Sequence, residues 1–144
     1  MEIRLLERGD EAVLRSTVDD VFDLPVDEAL TAEFLADPRH HIAVAIEADK
    51  VIGFATAVHY VHPDKAAQLF VNEVSVAPEW RGRGVGRAVM KAVLDAGRAL
   101  GCTEAWVLTN RANPAATALY ESAGATDAEE QGLVMYSFCY PPNR

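Results

Sequence analysis

Arg81-Gly82-Arg83-Gly84-Val85-Gly86 sets three glycines and two arginines between an apolar strand-like run and a long helical pattern. Glycines at 82, 84 and 86 permit positive φ and let a ligand approach the backbone without meeting a Cβ. At a helix start the first N–H groups lack intrahelical partners and sit at the positive end of the helix dipole, which makes an anion site. Arg81, Arg83 and Arg87 add full charge around it. A diphosphate is the natural guest. The spacing lacks the Gly-x-Gly-x-x-Gly step of dinucleotide folds, and no Gly-Lys-Ser/Thr follows, so nucleotide hydrolysis of the P-loop kind is disfavoured. Upstream, Glu73 is a carboxylate in the apolar run of residues 68–76. Such a group is costly unless exposed or partnered. Downstream, Tyr120 lies at helical spacing from Ala116 and Ala123.

Those residues need elements to hold them. The turn is followed by the clearest element in the chain. Val89, Met90, Val93, Leu94, Gly97 and Leu100 recur at helical intervals, with Arg87, Lys91, Asp95 and Arg98 opposite and Gly101 as a left-handed cap. Residues 41–46, 51–60 and 68–76 read as strands, the first two joined by a tight turn around Asp49-Lys50. Their connections are too short for helical crossovers, so an antiparallel meander is expected. A short first strand is expected at 2–6, amphipathic helices at 10–21 and 26–36, a strand at 104–109 and a final strand at 133–140. Asn113 reads as a helix N-cap, with Pro114 at the first helical position and Gly124 at the end. Within residues 68–76, strict alternation puts Val71, Glu73 and Ser75 on one face and Phe70, Asn72, Val74 and Val76 on the other. The whole is a mixed α/β fold, a largely antiparallel sheet flanked by helices, in one domain over residues 1–144.

The turn and its surroundings resemble the GNAT N-acetyltransferase family. Arg81-Gly-Arg-Gly-Val-Gly matches that family's Arg/Gln-x-x-Gly-x-Gly/Ala at every fixed position. Asn72-Glu-Val-Ser-Val-Ala-Pro-Glu-Trp is similar to its fourth strand and the connection that follows. Asn113-Pro-Ala-Ala-Thr-Ala-Leu-Tyr-Glu-Ser-Ala-Gly-Ala is similar to its Asn-x-x-Ala-x-x-Leu-Tyr-x-x-x-Gly-Phe segment, with Ala125 replacing the usual phenylalanine. The resemblance covers nearly the whole chain and implies acetyl-CoA as cofactor, with direct attack of an amine on the thioester. It implies that backbone groups of Val74, Ser75 and Val76 pair with the pantetheine arm. It implies a diphosphate contact along Arg81, Gly82, Arg83, Gly84, Val85, Gly86 and Arg87, and cofactor contacts from Asn113, Ala116 and Tyr120. Tyr120 would protonate the departing thiolate, and an N–H of the strand would polarise the acetyl carbonyl. The acceptor must lose an ammonium proton before attack. Glu73, directly or through water, is the candidate base, with His59 and His62 as lesser ones. His40-His41 reads as a strand entry, and no metal site is expected.

With 13 basic and 22 acidic residues the net charge is -9. That disfavours a nucleic-acid partner and is compatible with a cationic substrate. Acidic residues gather in the expected first two helices, where this family shapes its acceptor pocket. Residues 21–24, the Asn72-Glu-Val-Ser-Val strand and Val134-Met-Tyr-Ser-Phe look like the type-I aminoglycoside 3-N-acetyltransferases, relatives in which acidic residues receive a polycationic sugar. Asp23, Asn72 and Glu73 are the candidate acceptor contacts. A polyamine, another small amine or a protein amine are alternative acceptors, and a non-catalytic acyl-CoA-binding regulator is an alternative of another class. A homodimer is compatible with the resemblance. The start of the sequence lacks the apolar run of a signal peptide, and no stretch approaches the ~20 apolar residues of a membrane span. Cys102 and Cys139 read as reduced thiols, so a cytoplasmic protein is expected.

Overall fold

The computed structural model describes residues 1–128 and 132–140. Among the described residues, five strands form one sheet in chain order: β1 (Glu2–Leu5), β2 (His40–Glu47), β3 (Lys50–Tyr60), β4 (Gln68–Val76) and β5 (Glu104–Val107). Neighbours are antiparallel except β4 and β5, which run parallel. A parallel neighbour needs a crossover, supplied here by α2 (Val85–Ala99). The remaining helices are α1 (Glu28–Ala36) and α3 (Pro114–Ser122), with 3₁₀ turns at Glu11–Arg15 and Pro78–Trp80. No helix among the described residues is long and apolar enough to cross a membrane.

Strand alternation divides the core into two layers. Ala43, Ala55, Ala57, Leu69 and Val71 face α2 and meet Val85, Val89, Met90 and Val93. Ile42, Val44 and Phe54 face the other way, against Leu14, Val21 and Leu35. The β2–β3 hairpin closes through Ala48 and Asp49, whose φ values of 48 and 61° give the left-handed pair that suits a two-residue turn. Helix α2 ends as its sequence indicates. Gly101, at φ 81°, donates its N–H to the Arg98 carbonyl, and Cys102 donates to Gly97, a Schellman cap.

Three expectations are corrected. The helix expected over 10–21 is only the 3₁₀ turn at Glu11–Arg15. Beyond it, Thr17 bridges to Val51 and Val18 donates its N–H to the Val51 carbonyl. β-Branched Thr17 and Val18 favour that extended path, and Asp19 and Asp20 would oppose the dipole at a helix C-terminus. Second, residues 133–140 form no strand, and Leu133, Val134, Met135, Tyr136, Phe138 and Tyr140 are exposed. Apolar composition supplies propensity, but a strand is stabilised by a paired neighbour. Third, alternation along β4 breaks. Val71 pairs with Ala57 and Glu73 with Thr56, leaving Asn72 unmatched as a bulge. Val71 therefore packs under α2 while Glu73 and Ser75 turn to the opposite face, and Val74 and Val76 return to the α2 side.

Candidate active site

β4 and β5 pair only over Gln68–Val71 and Glu104–Val107. Past Val71 β4 continues to Val76 paired with β3 alone, so its other edge is unpaired among the described residues. This opening between parallel strands ends at the glycine turn. Gly82 and Gly84 hold φ values of 73 and 80°, and a Cβ built on either would meet nothing within 4 Å. Gly84 is the N-cap of α2, and the Ala88 N–H to Gly84 carbonyl bond (3.0 Å) is the helix's opening bond. The N–H groups of Val85, Gly86 and Arg87 precede it and face outward from the helix end. Arg83 and Arg87 are exposed. These residues fit a diphosphate.

Two members of the turn have further contacts. Gly86 does not have positive φ; it lies inside the helix, and a Cβ there would meet Leu119 Cδ2 at 3.4 Å and Val76 Cγ2 at 3.5 Å. Those are ordinary contact distances, so this position faces α3 and β4 with room for a methyl group. The Arg81 Nε donates to the Val76 carbonyl (3.0 Å), so this guanidinium fixes the end of β4. Trp80 steadies the approach to the turn through its Nε1, which donates to Glu47 Oε2 (3.1 Å).

Helix α3 delivers the tyrosine. Asn113 Oδ1 accepts from the Ala116 N–H (3.1 Å), which occupies that oxygen as a cap. Ala125 donates its N–H to the Tyr120 carbonyl and Gly124 donates to Glu121, closing the helix in a second Schellman cap. Tyr120 packs against the α2 side of the core, and burial pushes its hydroxyl above the ordinary 10.0. At neutral pH it is a protonated donor.

On the other face of the sheet, a cavity of about 390 Å³ lies between residues 22–27, α1 and strands β2–β4. Phe22, Asp23, Asp27, Phe34, Thr56 and Glu73 line it. Phe22 is held by stacking on Phe54, with ring centroids 4.1 Å apart. The Ser75 Oγ donates to the Val21 carbonyl (2.7 Å), tying this wall to β4. Desolvation raises the Glu73 carboxyl above its ordinary 4.5, and the charge of Asp23 raises it further. Asp27 also caps α1, its Oδ1 accepting from the Leu30 N–H (2.8 Å). A second cavity of about 350 Å³ shares residues 22–26 and is lined by Asp19, Asp20 and Asp23.

Asp23 and Glu73 thus share one cavity, whereas Asn72 sits exposed at the bulge and does not line it. His59 is also elsewhere. It meets His41, Nδ1 to Nε2 at 2.8 Å, and β3 alternation places it on the α2 face with Ala55 and Ala57. Burial, then the neighbouring His59 and His40, lower His41 below 6.5. His62 approaches Gln68 Oε1 at 3.2 Å. Thr56 and Phe22 were not anticipated as cavity residues. The pairing of β3 with β4, invisible in a single strand's pattern, brings Thr56 beside Glu73.

A model of the acetyltransferase (GNAT) family matches residues 8–125. The thialysine N-epsilon-acetyltransferase of Bos taurus is 27% identical over 108 residues, covering 75% of this chain and 61% of the relative. The streptothricin acetyltransferase of Streptomyces lavendulae is 34% identical over 89 residues, covering 62% of this chain and 45% of the relative. The chain therefore spans less than two thirds of the length of either. Among solved structures, AAC(6')-Iy in complex with the bisubstrate analog CoA-S-monomethyl-acetylneamine superposes with a TM-score of 0.76 at 23% identity, covering 96% of this chain and 98% of that one. This likeness establishes a shared fold.

Proposed function

The chain belongs to the GNAT acetyltransferase family, and on that premise we propose that it moves the acetyl group of acetyl-CoA to a primary amine of a cationic small molecule, an aminoglycoside. One observation carries this reading. The unpaired edge of β4 separates a glycine turn suited to a diphosphate from an acidic cavity containing Glu73 and Asp23. Acetyl-CoA, when bound, supplies an activated thioester carbonyl. The N–H groups of Val85, Gly86 and Arg87 bind its diphosphate, with Arg83 and Arg87 adding charge. The β4 edge from Val74 to Val76 aligns the pantetheine arm, and a backbone N–H there polarises the carbonyl. Asp23 and Asp27 attract the acceptor's ammonium groups. Glu73, with its raised pKa, takes the proton the attacking amine must lose. Tyr120, on the α2 side of β4, gives its hydroxyl proton to the departing sulfur.

Three features support an aminoglycoside over a monoamine. Asp19 and Asp20 line the adjoining cavity, so several ammonium groups can be met at once. The similarity of residues 21–24, 72–76 and 134–138 to the 3-N-acetyltransferases makes the 3-amino group the expected target. The fold shared with AAC(6')-Iy, a structure complexed with an acetylneamine analog, is compatible with this class. Release of CoA thiol from acetyl-CoA, measured over aminoglycosides, polyamines, lysine analogues and peptides, tests the reading. Turnover with aminoglycosides and an acetyl group on the 3-amine by NMR are expected. Turnover only with peptides or aliphatic amines overturns the acceptor assignment. CoA binding with no turnover on any amine overturns catalysis altogether. A homodimer is proposed through the side of β5 that is unpaired among the described residues and the exposed apolar residues 133–140; sedimentation equilibrium tests it.

A further inference from the structure

The sheet face that bears Glu73 continues beyond the acidic cavity into an aromatic floor. Leu69, Val71 and Val107 take the α2 side, so Gln68 and Phe70 of β4 and Glu104 and Trp106 of β5 project to the opposite face. Tyr60 joins them from the end of β3, opposite Gln68 in the ladder. The rings of Phe70 and Trp106 stack with centroids 4.1 Å apart and planes 15° from parallel. The Trp106 Nε1 donates to the Tyr60 hydroxyl (2.7 Å), which donates to Gln68 Oε1 (3.2 Å). The Gln68 Nε2 in turn donates to Glu104 Oε2 (2.8 Å). This chain of bonds fixes the Trp106 ring, yet the residue remains 38% exposed.

We propose that the Phe70–Trp106 pair is a second acceptor subsite, holding another saturated ring of a multi-ring aminosugar whose reacting amine lies at Glu73. The inference rests on the acetyl-transfer reading and extends it to the acceptor's shape. Phe70 and Glu73 face the same side of one strand, a step of about 7 Å lengthened by the bulge. The helical cover on this face, α1 and the 3₁₀ turn, packs on β2 and β3. Beyond that cover a fixed aromatic surface suits the apolar face of a sugar ring. Its rim carries acceptors where ring substituents project: the Tyr60 oxygen, the Gln68 amide and the Glu104 carboxylate. Glu104 continues the negative charge of Asp23, Asp27 and Glu73, matching a ligand with ammonium groups on successive rings. A linear diamine or an amino acid would fill the acidic cavity without reaching this floor.

The test compares the full chain with Trp106→Ala and Trp106→Phe on three acceptors: neamine, the single-ring 2-deoxystreptamine and 1,5-diaminopentane. Trp106→Ala is expected to lower kcat/KM for neamine about tenfold through KM. It should leave the smaller amines and the KM for acetyl-CoA unchanged. Trp106→Phe should recover most of the loss. In a Trp80→Phe background, saturable change of the remaining Trp106 fluorescence by neamine, and none by 1,5-diaminopentane, supplies a readout independent of turnover. Equal losses on all three amines, or no loss on neamine, overturn the subsite. Fluorescence resistant to acrylamide quenching overturns it as well, since residues 133–140 or a second copy would then cover the floor. Absence of wild-type turnover on every amine would instead defeat the acetyl-transfer reading, while ring-selective fluorescence still reports on the subsite.

Discussion

Glu73 and Tyr120 face opposite sides of β4, and the proposed mechanism assigns them opposite proton transfers. Desolvation and Asp23 raise the Glu73 carboxyl, making its ionised form a better base. Activity should rise with pH through a value above the ordinary 4.5. Glu73→Gln should cut kcat about 10²-fold and remove that limb from the pH–rate profile. Stability should move the other way. A carboxyl whose folded pKa is raised holds its proton longer in the folded than in the unfolded chain. Its favourable contribution is complete below the unfolded pKa and disappears as pH rises through the folded one. Glu73→Gln should therefore melt above the parent at pH 7.5, with the gain vanishing near pH 4; scanning calorimetry at both values checks it. Tyr120→Phe should lower kcat about 10²-fold when chemistry limits the rate, with little change in the KM for acetyl-CoA. Burial should keep the tyrosine protonated past pH 10.0, so loss of acid catalysis is expected only above that. Both residues were legible by type. The grouping of Glu73 with Val71 was not correct, because the Asn72 bulge breaks β4 alternation and only pairing with β3 exposes it.

At the scale of elements, the glycine turn separates into two parts. Gly82 and Gly84 supply left-handed backbone over open space, whereas Gly86 is an ordinary helical position facing α3 and β4 with room for a methyl group. Gly84→Ala should cost about 1–2 kcal/mol through its φ of 80° and raise the KM for acetyl-CoA, because the N–H groups behind it lose their aim. Gly86→Ala keeps a permitted φ and sets a methyl in ordinary van der Waals contact with Leu119 and Val76. It should therefore leave both kcat and the KM for acetyl-CoA close to the parent values. Steady-state kinetics of the two variants check this contrast. Helix α2 was readable from its periodic apolar face, and strands β2–β4 from short runs rich in Val, Ile and Phe bounded by turn residues. The 17–26 segment was not. Its apolar residues, Val18, Val21 and Phe22, enter the core from irregular backbone, where neither helical nor strand spacing marks them. Residues 133–140 show the reverse case, strand-like composition without a strand.

Across the whole molecule, a net charge of -9 favours a cationic acceptor and opposes an anionic cofactor. The glycine turn answers this locally. Arg83 and Arg87 are exposed beside a helix N-terminus, so in the proposed binding mode the cofactor meets positive charge within contact range while the wider surface repels it. The proposed acceptor cavity has the opposite arrangement, with Asp23, Asp27 and Glu73 lining it and Asp19 and Asp20 lining the adjoining one. Salt should separate the two substrates. Raising ionic strength shortens the Debye length from ~30 Å at 0.01 M to ~8 Å at 0.15 M, which screens the diffuse field before it weakens close contacts. The KM for a polycationic aminoglycoside should rise several-fold over that range, more steeply with each ammonium group the acceptor carries. The KM for acetyl-CoA should change less, because screening weakens both the distant repulsion and the local attraction. A salt-independent KM for a multi-ring aminoglycoside, beside a normal KM for acetyl-CoA, would mean that the acidic face does not gather the acceptor.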